Sequence, residues 1–307
     1  MPVALLKSPH LRLFLGAVLI SLSPVWVKLV SVSPTTSGFY RVAIGSVTAL
    51  VLMAVARQRL RLSKRAWFLV GLAGAFFSLD LFFWHRSIIY VGPGLSTLLA
   101  NFQVFIMMFA GVVLLRQKPA ATQLLAVPLA LVGLVMIIGL DWQGLPGDYR
   151  LGVIFGLLTA VVYAGYLLSL RAARLNSESR VPLAEVAVVS MVCTVLLFLI
   201  VQAEGASLAV ADASDIKWLL CYGILSHSFG ALFLASSLPH VSTTEAGLAL
   251  LLQPTLSFVW DVLFFDRPMQ PIEITGAAIA LIAIYLGARK GSRHDALGER
   301  QELVDRR

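Results

Sequence analysis

Residues 244–268 read TEAGLALLLQPTLSFVWDVLFFDRP, and residues 95–119 read LSTLLANFQVFIMMFAGVVLLRQKP. Both are apolar runs long enough to cross a bilayer. Each carries a glutamine near its middle, Gln253 in one and Gln103 in the other, then a short charged turn, then a proline. The two glutamines stand about 150 residues apart, close to half the chain, which is the spacing left when a whole unit is duplicated. A run, a charged turn and a second run is also what a lipid-facing helical hairpin must look like. In hydrocarbon the backbone polar groups find partners only inside the helix itself.

The rest of the chain has the same character. Of its 307 residues 59% are hydrophobic and 13% charged, half the charge of an ordinary soluble domain, about 25%. The mean hydropathy is +0.87. Ten apolar runs follow one another, at 11–31, 35–56, 66–88, 93–115, 120–140, 150–171, 183–203, 215–237, 243–265 and 270–289. The expected fold is therefore an all-α integral membrane protein of ten transmembrane helices, with no stretch left for a soluble domain. The net charge of +8 is no sign of nucleic-acid binding, because its basic residues fall in short loops between apolar runs. Lys7 and Arg12 precede the first run as in a signal peptide, but no small-residue cleavage pattern follows it, so the run is expected to be a retained helix. Cys193 and Cys221 lie inside apolar runs with no metal-binding or redox spacing and are expected to be free thiols.

The basic loops fix an orientation. Arg57, Arg59, Arg61, Lys64 and Arg65 follow the second run, Arg116 and Lys118 the fourth, Arg171, Arg174 and Arg180 the sixth, and Arg289, Lys290 and Arg293 the last. With ten spans all of these share one side, so both termini are expected in the cytoplasm. Five spans per unit is an odd number, and the second copy must then enter the membrane from the opposite face. The expectation is two inverted five-helix repeats, 1–145 and 146–290, followed by a charged cytoplasmic tail, 291–307. The repeated turn agrees with inversion, since Arg116-Gln117-Lys118 is basic where Asp266-Arg267 is neutral. Inverted repeats are a transporter architecture, with the solute site near the midplane between the copies.

These residues resemble the drug/metabolite transporter superfamily, in particular its ten-helix members built from two EamA-type repeats. The similarity rests on Gln253-Pro254, the turn Asp266-Arg267-Pro268, Gly276-Ala277 and the run to Gly287 in the second half. In the first half it rests on Pro34, Tyr40-Arg41 and Tyr90-Val91-Gly92. It extends over nearly the whole chain. Two positions depart from the family pattern, Val104 where a proline is common and Arg116 where an acid is common. The resemblance implies a plasma-membrane permease of a bacterial inner membrane that moves a small metabolite, often amino-acid-like and often outward.

Ionisable groups inside spans cost about 2.5–3.5 kcal/mol on insertion scales and belong in the bundle interior. Asp80 lies one helical turn from Trp84, a pair suited to an amine with a flat body; the alternative is an ion pair between Asp80 and a buried cation such as Arg41. Arg41 either attracts a substrate carboxylate or, as its family-like position favours, is a structural clamp on carbonyls or carboxylates. His227 is either a group that changes charge near neutral pH or a satisfied interhelical partner. Glu245 reads as part of a capping box with Ser242, and Asp261 as a residue reaching the outer interface. Asn101, Gln103 and Gln253 place amides near mid-membrane as a pocket wall, or as interhelical hydrogen bonds. Trp26, Trp84, Tyr163 and Tyr166 supply stacking surface, or packing alone. Pro24 and Pro254 release backbone carbonyls at two hinges or fixed kinks.

The function expected is a secondary transporter or facilitator for a small organic solute working by alternating access, with Asp80, Asp261 and His227 either as proton carriers or as groups that only satisfy their neighbours. A channel would want a ring of repeated polar residues or a filter loop. An enzyme would want clustered acids, paired histidines or an activated serine, and none of these patterns is present. No cofactor, metal or nucleic-acid partner is expected; the partners are the solute and the bilayer, and oligomeric state is not encoded in these patterns.

Overall fold

Apolar character on every face of the runs makes them helices whose azimuth is set by packing. The computed structural model describes residues 8–55, 57, 62–116, 119–175, 182–237, 240–241 and 243–288. Its helices are α1 (Pro9–Ser21), α2 (Ser23–Leu29), α3 (Pro34–Val55), α4 (Lys64–Ala100), α5 (Gln103–Leu115), α6 (Ala121–Ile138), α7 (Gly147–Leu175), α8 (Pro182–Ala203) and α9 (Ala213–Cys221). A stretch of π-helix (Tyr222–Gly230), α10 (Ala231–Ser237), α11 (Thr243–Phe265) and α12 (Pro271–Ala288) complete it. Side chains cap several starts. Ser63 accepts from Ala66 N–H at 3.1 Å, and Asp212 accepts from Ser214 N–H at 2.9 Å. Cys193 and Cys221 are both free thiols.

Among the described residues nine stretches are helical, long and apolar enough to cross a membrane. The count differs from the ten expected because the third and fourth runs form one stretch, Lys64–Val113, of 50 residues. At 1.5 Å per residue a straight helix of that length would be about 75 Å long, more than twice the hydrocarbon thickness. It is not straight. Gly92 interrupts it at φ 86°, ψ 164°, next to Pro93. The first run is also broken, at Leu22 between α1 and α2, and the eighth carries the π-helix. The tail 291–307 lies outside the described residues, as do Ser242 and with it the expected capping box. Glu245 meets His10 at 3.0 Å.

Packing pairs the elements across the chain. α4 runs along α7 and also meets α8 and α11; α3 packs on α8 and on the π-helix; α6 packs on α12; α1 packs on the π-helix, α10 and α11. Small residues permit the closest crossings. A Cβ on Gly133 would stand 2.6 Å from Gly276 O and one on Gly276 2.7 Å from Gly133 O, so α6 and α12 touch backbone to backbone. The two larger apolar clusters form on this packing. One gathers Leu95, Leu98 and Leu99 of α4 with Ala130 and Leu134 of α6 and Ala280, Ala283 and Ile284 of α12. The other gathers Val42, Val70, Phe77, Leu81 and Ile88 with Val188, Val189, Cys193 and Leu197 of α8.

The bundle has two distinct ends. At one, Leu13 and Ala17 of α1 cluster with Ala249 of α11, and Gln123 of α6 donates to Gly287 O at 3.0 Å. At the other, Arg267 donates to Val91 O at 3.4 Å. There the Asp215 carboxylate accepts from Ser31 N–H at 3.2 Å and from its hydroxyl at 2.5 Å. Arg86 pairs with Glu204, and Tyr40 O–H reaches Leu208 O at 2.7 Å.

Candidate functional site

Between the two apolar clusters lies a cavity of about 270 Å³. Three helix irregularities border it. At Leu22 the Val25 N–H turns back to Leu22 O at 3.0 Å. Ser21 O, freed by that turn, is met by Ser257 Oγ at 3.2 Å. At Asn101 and Phe102 the bonds tighten, with Phe102 N–H on Leu99 O at 3.0 Å and Phe105 N–H on Phe102 O at 2.9 Å, so α4 ends and α5 begins there. The third is the π-helix, which carries Ser226 and His227 into the lining. Ser21, Ser23 and Pro24 border the first break, Asn101 and Gln103 the second. Short π stretches inside helices recur at functional sites.

Asp80 is the only carboxylate and Arg41 the only arginine or lysine among the described residues of the lining. The alternative reading, an ion pair between them, is not what the described residues show: no Asp80 oxygen lies within 4.0 Å of a cationic nitrogen, and Asp80 makes no hydrogen bond among them. Arg41 does not clamp carbonyls or carboxylates as the sequence reading expected. Its Nη1–H donates to the Tyr222 hydroxyl at 2.9 Å and its Nε–H to His227 Nδ1 at 3.4 Å. Its guanidinium carbon lies 4.9 Å from the ring centre of Tyr222, 5.5 Å from Trp84 and 5.6 Å from Phe77.

Both histidines beside it have assignable tautomers. A guanidinium N–H aimed at His227 Nδ1 makes that nitrogen an acceptor and puts the ring proton on Nε2, which faces Ser190 Oγ at 2.8 Å. His227 is thus held between two helices, and its ring stacks on Phe77 at 6.0 Å. His85 has Nδ1 at 2.6 Å from Leu81 O. A carbonyl only accepts, so Nδ1 carries the proton and Nε2 accepts from the Tyr222 hydroxyl at 3.1 Å.

The amide groups behave differently. Asn101 Nδ2 is spent on Thr97 O at 2.8 Å. Gln103 Oε1 is buried without a partner, as are Ser23 Oγ and Trp84 Nε1. The Gln253 side chain makes no hydrogen bond among the described residues, so neither glutamine is an interhelical tie. Asp80, Trp84, Asn101, Gln103, Tyr163, Tyr166, His227, Gln253, Arg41 and Pro24 thus come together at one cavity, while Trp26 and Pro254 are not in its lining. Trp26 stacks on Trp218 at 5.5 Å and donates to Ser226 Oγ at 2.9 Å, holding α2 against the π-helix.

Asp261 is a correction to the sequence reading. It does not reach the interface; it is 0% exposed. Its Oδ2 accepts from Gly94 N–H at 3.1 Å and from Arg267 Nη1 at 3.2 Å, and Lys28 Nζ is 3.9 Å from Oδ1. The carboxylate therefore caps the helical leg that restarts after Gly92. Gly92 is required there, because at φ 86° a Cβ would also stand 2.6 Å from Asp261 Oδ2.

The chain matches the sequence profile of the EamA-like transporter family twice, over residues 7–139 and 150–288. It belongs to that family. Both EamA segments contribute to the cavity, Ile20 to Val104 from the first and Thr159 to Ala288 from the second. Among relatives, the uncharacterised inner membrane transporter YhbE of Escherichia coli K12 is 28% identical over 284 residues, 87% of this chain and 84% of YhbE. An uncharacterised transporter of Haemophilus influenzae is 28% identical over 134 residues, 42% of this chain and 43% of that one. A solved crystal structure superposes with a TM-score of 0.61 at 18% identity, covering 92% of this chain and 95% of the other, a likeness of fold. Family membership makes this EamA protein a membrane transporter and not an enzyme. The sequence reading missed His85, Tyr222 and Ser190. The signal available was His85 directly after Trp84, on the helix already singled out for Asp80.

Proposed function

We propose that this chain is a secondary transporter that moves a small organic metabolite, an amino acid or related solute, outward across a bacterial inner membrane by alternating access. The observation that carries the reading is the cavity between the two EamA segments, bordered by helix breaks and lined by polar groups without protein partners. Broken helices at the junction of repeats are how transporters present backbone and side-chain polarity to a solute. The name of YhbE supports the same membrane for this chain.

Ten spans in two inverted five-helix repeats, divided as 1–145 and 146–290, account for the packing. Supporting the tenth, Val91 and Gly94 lie with Arg267 and Asp261, while Phe105, beyond them, lies against Gly287 at the opposite end. The leg after Gly92 therefore runs back. Supporting inversion, contacts occur in related pairs: first span on eighth and third on sixth, first on ninth and fourth on sixth, second on seventh, fifth on tenth. The cavity lining extends to Gly247 and Ala288, near the end that carries Pro9 and the basic turn at Arg116. Basic loops favour the cytoplasm, so the cavity loads from inside, as an exporter requires. Asp80, Trp84, Gln103, Gln253, Tyr163 and Tyr166 form the solute site with Asn101 and His227, Arg41 borders it, and Pro24 and Pro254 mark its hinges. Asp80 is the group for proton coupling.

Transport of a metabolite panel in proteoliposomes tests this reading. Asp80→Ala and Gln253→Ala should each cut transport at least tenfold; unchanged rates in both would discard the site.

A further inference from the structure

Arg41, Arg86 and Arg267 are not held alike. Arg86 pairs with Glu204, and Arg267 lies 3.2 Å from Asp261 and 4.0 Å from Glu273. Arg41 makes no ion pair within 4.0 Å and no hydrogen bond to an acid among the described residues. Its protein contacts are the Tyr222 hydroxyl, His227 Nδ1 and three aromatic rings, every one of them neutral.

Those contacts are themselves anchored. Tyr222 is 0% exposed and passes its own proton to His85, which is also 0% exposed and passes its proton to Leu81 O. His227 is fixed from its other nitrogen by Ser190, and a Cβ on Gly45 would overlap its imidazole ring. The hydrogen-bond directions all run outward from Arg41, so the chain orients the guanidinium without neutralising it. Of the five N–H donors of a guanidinium, the protein engages one on Nε and one on Nη1. Both donors of Nη2 and the second of Nη1 remain, which is the edge that meets a carboxylate with two parallel bonds.

From this we propose that Arg41 is the receptor for the solute's carboxylate, held ready by Tyr222 and His85 on one side and His227 and Ser190 on the other. The inference rests on the transporter reading above and narrows its substrate to a zwitterion. Asp80, the one acid of the described lining, faces the same cavity without a hydrogen bond or ion pair and takes the solute's ammonium. Neither group is held in a direct ion pair among the described residues, and a solute with one charge of each sign would give both a partner, because a buried charge is tolerated only when paired. Trp84, Phe77, Tyr163 and Tyr166 wall the space with rings, and the buried Gln103 Oε1 supplies a neutral acceptor. A second charge on the side chain of the solute has no partner in the described lining. Tyr222 and His85 are positioning residues, since they act through Arg41.

The test uses the full chain in detergent, then in proteoliposomes. The probes are the proteinogenic L-amino acids and, for each that raises the melting temperature, its methyl ester and its N-acetyl derivative. The ester keeps the ammonium and loses the carboxylate charge; the N-acetyl compound does the reverse. At least one neutral-side-chain amino acid should stabilise the protein, and both derivatives should bind at least about tenfold more weakly, the loss of one charge-assisted contact. An ester that binds as tightly as its parent would overturn the assignment of Arg41 while leaving the transporter reading intact. Stabilisation by simple amines with none by amino acids would overturn it as well. Because Arg41 variants risk misfolding, Tyr222→Phe is the second arm. It should raise KM for the amino acid about tenfold with kcat within about twofold. A lowered melting temperature with unchanged KM would reduce Tyr222 to packing and contradict the proposal. Failure of any solute, of whatever charge, to cross in proteoliposomes is a different result and refutes the transporter reading itself.

Discussion

Asp261→Asn removes one charge from the buried cluster that joins α11 to α4 and α2, and the structure sets the size of the effect. The asparagine still accepts from Gly94 N–H, so the cap persists. Lost is the ionic character of the contact to Arg267 Nη1 at 3.2 Å, and with it the attraction of Lys28 at 3.9 Å. Breaking a buried pair costs about 3–5 kcal/mol. The lower end applies, because Arg267 keeps Val91 O at 3.4 Å and Glu273 at 4.0 Å and the Lys28 side chain is 33% exposed. If the cluster exists only while this end is closed, about 3 kcal/mol shifts the balance toward opening by about two orders of magnitude. The assay is thiol labelling from the outer face. With Cys193 and Cys221 replaced by serine, Ala100→Cys places one thiol in the cavity lining, and a membrane-impermeant reagent is added to right-side-out vesicles. Asp261→Asn should raise the labelling rate about a hundredfold. A rate within about threefold of the parent, with a lowered melting temperature, would show that the cluster holds the fold and does not gate the cavity.

Other expectations follow from single positions. Gly92→Ala forces a side chain into a left-handed backbone position and against Asp261 Oδ2, and should destabilise by about 1–3 kcal/mol; an unchanged melting temperature would contradict this. Gly276→Leu should separate α6 from α12 and lower both folding yield and melting temperature, whereas Gly71→Ala, with nothing within 4 Å of the added Cβ, should be neutral. Trp84→Phe removes an unpartnered indole N–H from the cavity and should raise KM about fivefold to tenfold, the value of one hydrogen bond. Trp26→Phe, outside the lining, should leave KM within about twofold; equal effects of the two tryptophan changes on KM would undo the distinction.

Depth along each helix was legible in the sequence, and azimuth was not. Asn101, Gln103 and Gln253 were placed near mid-membrane from their position in apolar runs, and they do share one cavity with Asp80 and Tyr163. Trp26 stood at a similar distance along its run, yet it faces Trp218. In a soluble helix the polar face would have told the two apart. Here lipid and protein interior are equally apolar, so every face of a span looks alike. The same reason hid Asp261, which reads as an interfacial residue by position and is buried by its partners Gly94 and Arg267. Its burial depends on the break at Gly92, and the tyrosine–histidine chain behind Arg41 depends on contacts between residues 137 positions apart. Neither is a local property of the sequence. The break at Leu22 was marked by Pro24, whereas the one at Asn101 has neither proline nor glycine beside it to mark it.

Solute crossing through the cavity between the two EamA segments ties these expectations together. The most direct test introduces Gln253→Cys into a Cys193→Ser, Cys221→Ser background that still transports, and modifies it with a small thiol reagent in proteoliposomes. Modification should abolish transport, and transported solute should slow the modification in proportion to its occupancy. Transport that continues at the unmodified rate after complete labelling would contradict the account.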